Sequence, residues 1–387
     1  MAGYQVVWRG RVSYAGGWGT ACREYALALD SLGVDVKIDT STTYLPETDK
    51  NKTKRLRYLM QKPFAKGKPK ILVYHYHPYN IDLEKERLKF DHIILNTVWE
   101  TTKIPNHWLP TINRFNAVFV PSKQNMEAMK NSGVKIPIFL VPHGAETQFF
   151  NPENEKLPVR NAEGKFIFTS VFDFQHRKNP EGLLKAYWKE FKPDEKVMLV
   201  IKTYWSGNKK MENQIRINIL NYKKRLGIKG KTAPLFLITD TLGKKEIRGL
   251  YTLGDAFVLP TRGEGVGLPF IEALSSGIPV IATGWGGQMD FLNKGNAFLV
   301  DYKLEQPAVS MKRAISRYFG YLFGERGQLW AEPDLLSLSR QMRYAFENPS
   351  LCKQKGEQGR QDMLEMSWDR AGIALKAAIE KVITRLG

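Results

Sequence analysis

Short apolar runs alternate with amphipathic stretches along most of this chain. The first run, YQVVWRG, is followed by a glycine-rich turn and by CREYALALDSLG, in which Tyr25, Leu29 and Leu32 recur at helical spacing. Polar residues, glycine or proline bound the later runs, as is usual for buried parallel strands; these runs are VDVKI, KILVYHYH, FDHIILNTVWE, NAVFVPS and IFLVPHG. This alternation predicts βαβ units around a parallel sheet.

A second series of the same kind begins after residue 165. Its runs are FIFTSVFDF, VMLVIKTY, LFLITD, AFVLPT, IPVIATG and AFLVDY. The segment Asn151–Lys165 is polar, holds two prolines and lacks apolar periodicity, so it is the predicted linker. We therefore expect an α/β chain of two doubly wound, Rossmann-like domains, residues 1–160 and 161–366, with a ligand in the cleft between them. Residues 367–387 carry an apolar stripe and predict an amphipathic C-terminal helix.

Composition excludes several classes of protein. With 387 residues, of which 43% are hydrophobic and 25% charged, the chain is globular rather than disordered. No apolar run approaches the roughly 18–20 residues that a bilayer span needs. The first block of the chain has too short an apolar centre for a signal peptide, so a cytoplasmic location is expected. The two cysteines, Cys22 and Cys352, are expected to be reduced thiols.

The net charge of +19 favours an anionic partner. Residues Lys50–Lys70 hold nine Lys and Arg and neither Asp nor Glu. Such a run is usually a solvated loop or helix face. The apolar residues within it, among them Tyr58 and Phe64, also suit peripheral contact with an anionic membrane surface at the inner face of the membrane. Both interpretations stay open, whereas no RNA-binding signature, zinc-finger spacing or helix-turn-helix favours nucleic acid.

The segment RGEGVGLPFIEALSSGIPVIAT, residues 262–283, carries the most specific pattern in the chain. A strand is predicted to end just before it, and Pro269 suits the first turn of the helix that follows. Glycines at 263, 265 and 267 leave backbone N–H groups uncovered next to a helix N-terminus, which suits a phosphate or sugar hydroxyls. Glu264 and Glu272, eight positions apart, are expected to accept hydrogen bonds from polyols in one pocket. The alternative is one capping and one solvent-exposed glutamate.

This pattern resembles the E-x7-E motif of retaining glycosyltransferases with the GT-B fold, in particular the large family 4. The resemblance continues through ALSSGIPVIATGWGGQMDFL and includes PHGAETQFFNP, SVFDFQHRKNPEGLLKAY and SWDRAGIAL. It implies that residues 161–366 bind a nucleotide-diphosphate sugar and that residues 1–160 bind the acceptor. It also implies that the closing helix, residues 367–387, packs back on the N-terminal domain. No cofactor or metal is expected, because this fold generally works without a metal at the reaction centre.

The resemblance implies roles for single residues of the glycine-rich segment. Glu272 would bind the ribose hydroxyls of the donor. Glu264 would contact hydroxyls of the transferred sugar. The backbone N–H groups of Gly265, Val266 and Gly267 would assist Glu264 in holding the donor.

The resemblance also implies a pair of cations for the diphosphate. Lys178 matches the phosphate-binding lysine of the family. The family usually has an arginine five or six residues earlier, where this sequence has Phe172 and Asp173. Lys202 is therefore the first candidate for the second cation and Arg262 the second candidate. The alternative for Lys202 is an ordinary surface lysine.

Candidates for the acceptor side come from the first half of the chain. The pair Gly16–Gly17 follows a strand and precedes a helix, so the backbone there can approach the donor phosphates or the acceptor. Where the family often has a histidine after a strand, this sequence has Trp99 and Glu100, and Glu100 is either an acceptor-side carboxylate or a strand-end residue in solvent. His77 is a further candidate. It lies two residues after His75, and without a third ligand nearby we interpret the two as cleft or structural residues rather than a zinc site.

Taken together, these features predict an enzyme. It would be a retaining, metal-independent glycosyltransferase that moves a sugar from a nucleotide sugar to a hydroxyl of a glycan or glycoconjugate, as in polysaccharide biosynthesis. One alternative is a nucleotide-sugar epimerase or synthase-like enzyme on the same fold. The other is a basic, non-catalytic protein that binds nucleic acid or a membrane.

Overall fold

The structure, a computed structural model, describes residues 3–46, 49–204, 209–317 and 320–386. Its strands are β1 (Gln5–Gly10), β2 (Asp35–Ile38), β3 (Lys70–His75), β4 (His92–Asn96), β5 (Ala117–Val120), β6 (Ile138–Leu140), β7 (Phe166–Asp173), β8 (Val197–Tyr204), β9 (Leu235–Ile238), β10 (Ala256–Leu259), β11 (Val280–Thr283), β12 (Ala297–Val300), β13 (Tyr302–Glu305) and β14 (Trp330–Pro333). Its helices are α1 (Gly17–Ser31), α2 (Lys50–Gln61), α3 (Leu83–Arg87), α4 (Leu109–Ile112), α5 (Lys123–Asn131), α6 (Pro180–Glu190), α7 (Lys209–Arg225), α8 (Lys244–Leu253), α9 (Leu268–Ser275), α10 (Pro307–Met311), α11 (Leu335–Glu347), α12 (Pro349–Leu364) and α13 (Trp368–Leu386).

The chain divides into two compact units. Unit 1 consists of Met1–Gly144 and Met366–Gly387, and unit 2 of Ala145–Glu365. Residues 151–165, the predicted linker, hold no helix or strand. They lie inside unit 2, where the Leu157 N–H donates to the Gly249 carbonyl oxygen at 2.8 Å.

Unit 1 is built on a parallel sheet with the strand order β2-β1-β3-β4-β5-β6. The strands are short and strongly apolar because helices cover the sheet. The closing helix α13 packs against α1 within this unit. Its residues Leu375 and Ile379 are fully buried in the core that also holds Tyr25 and Leu29 of α1. The apolar periodicity of both helices therefore reflects one shared contact.

Unit 2 contains a parallel sheet with the strand order β12-β11-β10-β7-β8-β9. A separate two-stranded antiparallel sheet, β13–β14, follows and has no counterpart among the predicted strands. Two parallel sheets with helices confirm the predicted architecture of two Rossmann-like domains. Within the described residues, none of the helices is long and apolar enough to pass through a bilayer.

Candidate active site

The loops after β7 and β10 meet at the carboxyl edge of the unit 2 sheet. These strands are neighbours in the sheet, but the chain runs from β7 to β8 on one side and returns to β10 on the other. This is the switch point at which doubly wound sheets bind ligands. The two loops are joined directly, because the Arg262 N–H donates to the Arg177 carbonyl oxygen at 2.7 Å.

The turn between β10 and α9 has a backbone that only glycine adopts readily. Gly267, the residue before α9, has φ 90° and ψ 60°. A Cβ there would also lie 2.6 Å from the ring of Phe270. Gly265 and Val266 are buried in the same turn. The turn is held from the next loop as well, since the N–H of Gly287 donates to the carbonyl oxygen of Glu264 at 2.8 Å.

The Glu264 carboxylate is 5% exposed and is surrounded by donors. Its Oε1 accepts hydrogen bonds from Lys178 Nζ at 2.5 Å and Thr261 Oγ1 at 2.9 Å, and an Arg177 guanidinium nitrogen lies 3.4 Å away. Burial alone raises the pKa of Glu264. The charges of Lys178 and Arg177 and these hydrogen bonds outweigh burial and hold the pKa below its ordinary value. Glu264 is therefore an ionised internal carboxylate and not a solvent-exposed one.

Glu272 lies in α9 with a partly exposed side chain. Its Oε2 accepts a hydrogen bond from the hydroxyl of Tyr251, a buried residue whose ring packs against those of Phe150 and Phe257. Burial raises the pKa of Glu272 to about 7 and the charge of Glu146 adds to this rise, while the Tyr251 hydrogen bond opposes it. The pKa values of the two carboxyls are thus shifted in opposite directions, so that the fold favours the ionised form of Glu264 and the neutral form of Glu272.

Arg177 is the functional candidate that the sequence prediction missed. It belongs with Lys178 to a 3₁₀ turn, His176–Lys178, directly after β7. Its guanidinium donates a hydrogen bond to the Gly263 carbonyl oxygen and lies beside Glu264, so two cations and one carboxylate meet at this point. The sequence did contain one signal for Arg177, since it directly precedes Lys178, the lysine that matched the family pattern.

Lys202 lies at the end of β8 and is 6% exposed, so it is not an ordinary surface lysine. Its Nζ donates to the Thr203 carbonyl oxygen at 3.2 Å. Burial lowers the pKa of Lys202, and the carboxylates of Glu212 and Asp240 partly counteract this effect. The carboxylates that act on Lys202 are therefore different from the one that holds Lys178.

Arg262 is 1% exposed and is committed to buried ion pairs. Its Nε donates to Glu332 Oε2 at 2.6 Å, and its Nη1 lies 3.1 Å from Glu181 Oε1. Nη1 also donates to the His176 carbonyl oxygen. These contacts hold the two loops together, and the predicted role of Arg262 in binding the diphosphate stays a prediction.

Unit 1 presents an aromatic cluster around His77. The ring centroid of His77 lies 5.0 Å from that of Trp18, 4.7 Å from that of Trp108 and 6.0 Å from that of Trp99. Its Nδ1 lies 3.2 Å from the Tyr79 hydroxyl oxygen. Burial lowers the pKa of His77 to about 3, so the imidazole is neutral at physiological pH. A neutral ring among aromatic side chains is suited to contact an uncharged ligand.

The other unit 1 candidates differ in how far they reach the surface. The residue before α1 is Gly16, and Gly17 opens that helix with an exposed backbone. Trp99 is fully buried, and its indole N–H donates to Thr101 Oγ1 and to the Lys103 carbonyl oxygen, both at 2.7 Å. Trp99 therefore packs against the His77 ring from the protein interior. Glu100, the next residue, is partly exposed. Within the described ranges, no group of three or more His, Cys, Asp or Glu is placed to hold a metal ion.

Two doubly wound units with this arrangement at the switch point define the GT-B class of fold. Residues 152–317 match the family model of glycosyl transferases group 1, which confirms the resemblance to glycosyltransferases for this part of the chain. A similar sequence is the probable sucrose-phosphate synthase of Thermosipho melanesiensis, 29% identical over 173 residues. The match covers 42% of this chain and 36% of that relative's own length.

Solved structures share the fold over the whole length of the chain. The sucrose-phosphate synthase of Thermosynechococcus elongatus superposes with a TM-score of 0.64 at 15% identity, covering 99% of both chains. HepE of Anabaena, solved in complex with UDP and glucose, has a TM-score of 0.64 at 11% identity and covers 97% of this chain and 99% of its own. At these identities the likeness establishes the fold alone.

Proposed function

We propose that this protein is a glycosyltransferase that moves a sugar from a nucleoside-diphosphate sugar to an acceptor hydroxyl with retention of configuration. The observation that carries the proposal is the meeting of Lys178, Arg177 and the ionised Glu264 at the switch point of unit 2. Paired cations there suit a diphosphate, and carboxylates suit sugar hydroxyls. The match of residues 152–317 to glycosyl transferases group 1 supports the same reaction class.

In this proposal the two glutamates bind different hydroxyls of the donor. Glu272 is partly exposed and accepts hydrogen bonds from the ribose, while Tyr251 fixes its orientation. Glu264 accepts hydrogen bonds from the transferred sugar. The N–H groups of the turn Gly265–Gly267 stabilise the donor from the same side, because they precede the N-terminus of α9.

Lys178 and Arg177 act on the leaving group. The bond between the anomeric carbon and the diphosphate oxygen breaks while a bond from the acceptor oxygen to that carbon forms on the same face. The electron pair of the broken bond stays on the diphosphate oxygen, which takes the proton of the acceptor hydroxyl. The cations stabilise this developing charge more strongly than they stabilise the ground state, which lowers the barrier. Glu264 holds Lys178 in place before the donor binds.

The acceptor is assigned to unit 1. The neutral His77 and the partly exposed Trp18 offer an uncharged surface that suits a glycan or glycoconjugate, with Trp99 as a supporting residue. Glu100 and Gly16–Gly17 remain candidates of the same unit. Independence from metal is also part of the proposal, since two cationic side chains supply the charge that a metal would otherwise supply.

The proposal is tested by binding and by transfer. A thermal-shift screen against UDP-, GDP-, ADP- and TDP-sugars identifies a donor, since the correct one stabilises the folded state. Calorimetry with the matching nucleoside diphosphate then compares Glu272→Ala with Glu163→Ala, a control at an exposed glutamate of the same unit. We expect Glu272→Ala to weaken binding about tenfold or more, and the control to bind like the wild type.

The alternatives give different outcomes. Isomerisation of the donor sugar without an acceptor would favour an epimerase. Absence of binding to every nucleotide in the screen would favour a non-catalytic binding protein. Release of nucleoside diphosphate that depends on an added acceptor, with an α-linked product from an α-linked donor, is the result expected for retaining transfer.

A further inference from the structure

Part of the positive charge of the basic segment Lys50–Lys70 is paired with carboxylates from other parts of the chain. Four of its cations form ion pairs with carboxylates of α1 and β2. These pairs are Lys52 with Glu24, Arg55 with Asp30, and both Lys62 and Lys68 with Asp35. The acidic partners missing from the segment itself are thus supplied by neighbouring elements, and these four cations attach the segment to unit 1.

A different set of cations faces outward from α2. Lys50, Lys54 and Arg57 are exposed and form no ion pair among the described residues. They recur at helical spacing along one face. The opposite face is fixed by Leu56 and Leu59, which are fully buried in the unit 1 core. The helix therefore lies flat on the protein with one charged row, here called the outer row and consisting of Lys50, Lys54 and Arg57.

Two exposed aromatic side chains belong to the same basic segment, Tyr58 next to Arg57 in α2 and Phe64 three residues after the helix ends. Tyr58 is 50% exposed and Phe64 is 47% exposed. Cations of neighbouring residues lie over both rings, with the Arg55 guanidinium carbon 4.6 Å from the Tyr58 centroid and Lys37 Nζ 5.0 Å from the Phe64 centroid. Half-exposed aromatic rings next to cations are typical of protein surfaces that meet the headgroup region of a bilayer.

From this arrangement we infer that the outer row of α2 docks the protein on an anionic lipid bilayer. The phosphates of the headgroups complement Lys50, Lys54 and Arg57, and the rings of Tyr58 and Phe64 enter the interface. Leu56 and Leu59 bury the apolar face of α2 in unit 1, so the helix lies along the protein surface and the outer row remains available to the headgroups. The inference narrows the predicted contact of Lys50–Lys70 to the outer row of α2, with Tyr58 beside it and Phe64 in the loop that follows the helix. It does not depend on transfer activity, because neither donor nor acceptor takes part.

The test is co-sedimentation of the full chain with vesicles of phosphatidylcholine containing about one third phosphatidylglycerol, compared with phosphatidylcholine alone. The variant replaces the whole outer row, Lys50→Ala, Lys54→Ala and Arg57→Ala. The matched control, Lys224→Ala, Lys229→Ala and Lys231→Ala, removes the same charge from exposed positions of unit 2. Because a cation near the surface contributes about fivefold to partitioning, we expect about a 100-fold loss for the outer-row variant and no more than about a twofold loss for the control.

Several results would overturn the inference. One is an equal loss in both triple variants, because net charge and not the outer row would then be responsible. Another is equal binding to vesicles with and without phosphatidylglycerol. A third is binding of a short oligonucleotide through the outer row that is tighter than vesicle binding. If the triple variant is unfolded by circular dichroism, the double variant Lys50→Gln and Lys54→Gln replaces it, with an expected loss of about 25-fold.

Discussion

At the scale of single residues, the two glutamates of the candidate site differ in what holds them. Glu264 is ionised between Lys178 and Arg177, so folding stabilises its charge. The Glu272 carboxyl accepts a hydrogen bond from the Tyr251 hydroxyl, and burial outweighs this bond, so folding opposes its charge. A carboxyl whose charge the fold disfavours is better suited to binding a ligand than to stabilising the fold.

We predict that Glu272→Gln stabilises the protein and weakens donor binding. The folded-state pKa of Glu272 is about 7, above the ordinary value of 4.5, so the unfolded chain loses this proton first as the pH rises. Stability from this group is therefore intact below pH 4.5 and is lost between pH 4.5 and 7. Since the side chain is partly exposed, we expect the variant to gain about 1–2 kcal/mol at pH 8 and nothing at pH 4.

Urea unfolding of wild type and variant at both pH values measures this gain, and nucleotide calorimetry at pH 8 measures the cost in binding. The prediction fails if Glu272→Gln is less stable than the wild type at pH 8.

A second prediction separates Arg177 from Arg262. Arg177→Ala should lower kcat/KM about 100-fold with only a small change in Tm, because it removes one of two cations at the leaving group. Arg262→Ala should instead destabilise the protein by about 3–5 kcal/mol, because it removes the buried guanidinium that pairs with both Glu332 and Glu181 and donates to the His176 carbonyl oxygen.

Differential scanning fluorimetry and initial transfer rates measure both effects. Lys202→Ala serves as the comparison for a buried lysine whose pKa is set by other carboxylates, and we expect it to affect transfer less than Arg177→Ala does. Full activity of Arg177→Ala would remove Arg177 from the site.

At the scale of elements, helix α12 supports the helix that carries Glu272. Gly356 of α12 lies against the end of α9, where a Cβ would be 1.9 Å from the Gly277 carbonyl oxygen. Arg360, one turn later, donates to the carbonyl oxygens of Ser275 and Thr147, both at 2.9 Å. Close backbone approach and these hydrogen bonds together fix the position of α9.

We predict that Gly356→Ala destabilises unit 2 even though alanine is the better helix former. Helix propensity alone favours alanine over glycine by about 1 kcal/mol. The steric contact with Gly277 outweighs this preference, and we expect a net loss of about 1–3 kcal/mol. Gly230→Ala is the matched control, since a Cβ at Gly230 would have no neighbour within 4 Å. Chemical unfolding of both variants decides the point, and a more stable Gly356→Ala would contradict it.

At the scale of the whole molecule, three histidines of unit 1 whose pKa values are lowered by desolvation make the protein sensitive to acid. Burial lowers the pKa of His75 to about 4 and the pKa values of His77 and His143 to about 3. All three values lie below the ordinary value of 6.5, so the unfolded chain binds protons that the folded unit does not. Stability from these groups is present above pH 6.5 and is lost as the pH falls toward 4.

Between pH 6.5 and 5 we expect a loss of roughly 1–2 kcal/mol for each of these histidines. Tryptophan fluorescence during urea unfolding at pH 7.5 and pH 5 measures the loss. His143→Gln should reduce this pH dependence, whereas His107→Gln, a change at an exposed histidine, should leave it unaltered. A pH dependence that is the same in both variants would contradict this explanation.

The local sequence pattern alone was enough to predict the parallel strands and the position of the candidate donor site. Apolar periodicity identified the parallel strands, and the spacing of Glu264, Glu272 and the glycines between them located the candidate donor site, because turn and helix geometry depend on neighbouring residues. Local pattern could not predict which cations of Lys50–Lys70 form ion pairs, because their partners Glu24, Asp30 and Asp35 belong to other elements.

Only the tertiary structure shows that Arg177 lies beside Lys178 at Glu264, and the role of either cation in binding the diphosphate stays a prediction. Lys178 and Glu264 are 86 positions apart and meet because β10 returns beside β7. The same strand order brings Arg177 to Glu264, whereas Arg262 pairs with Glu332 of the separate two-stranded sheet, although all these cations look alike in sequence. Spacing along the chain sets which residues share a turn or a helix face, whereas strand order sets which turns share a site.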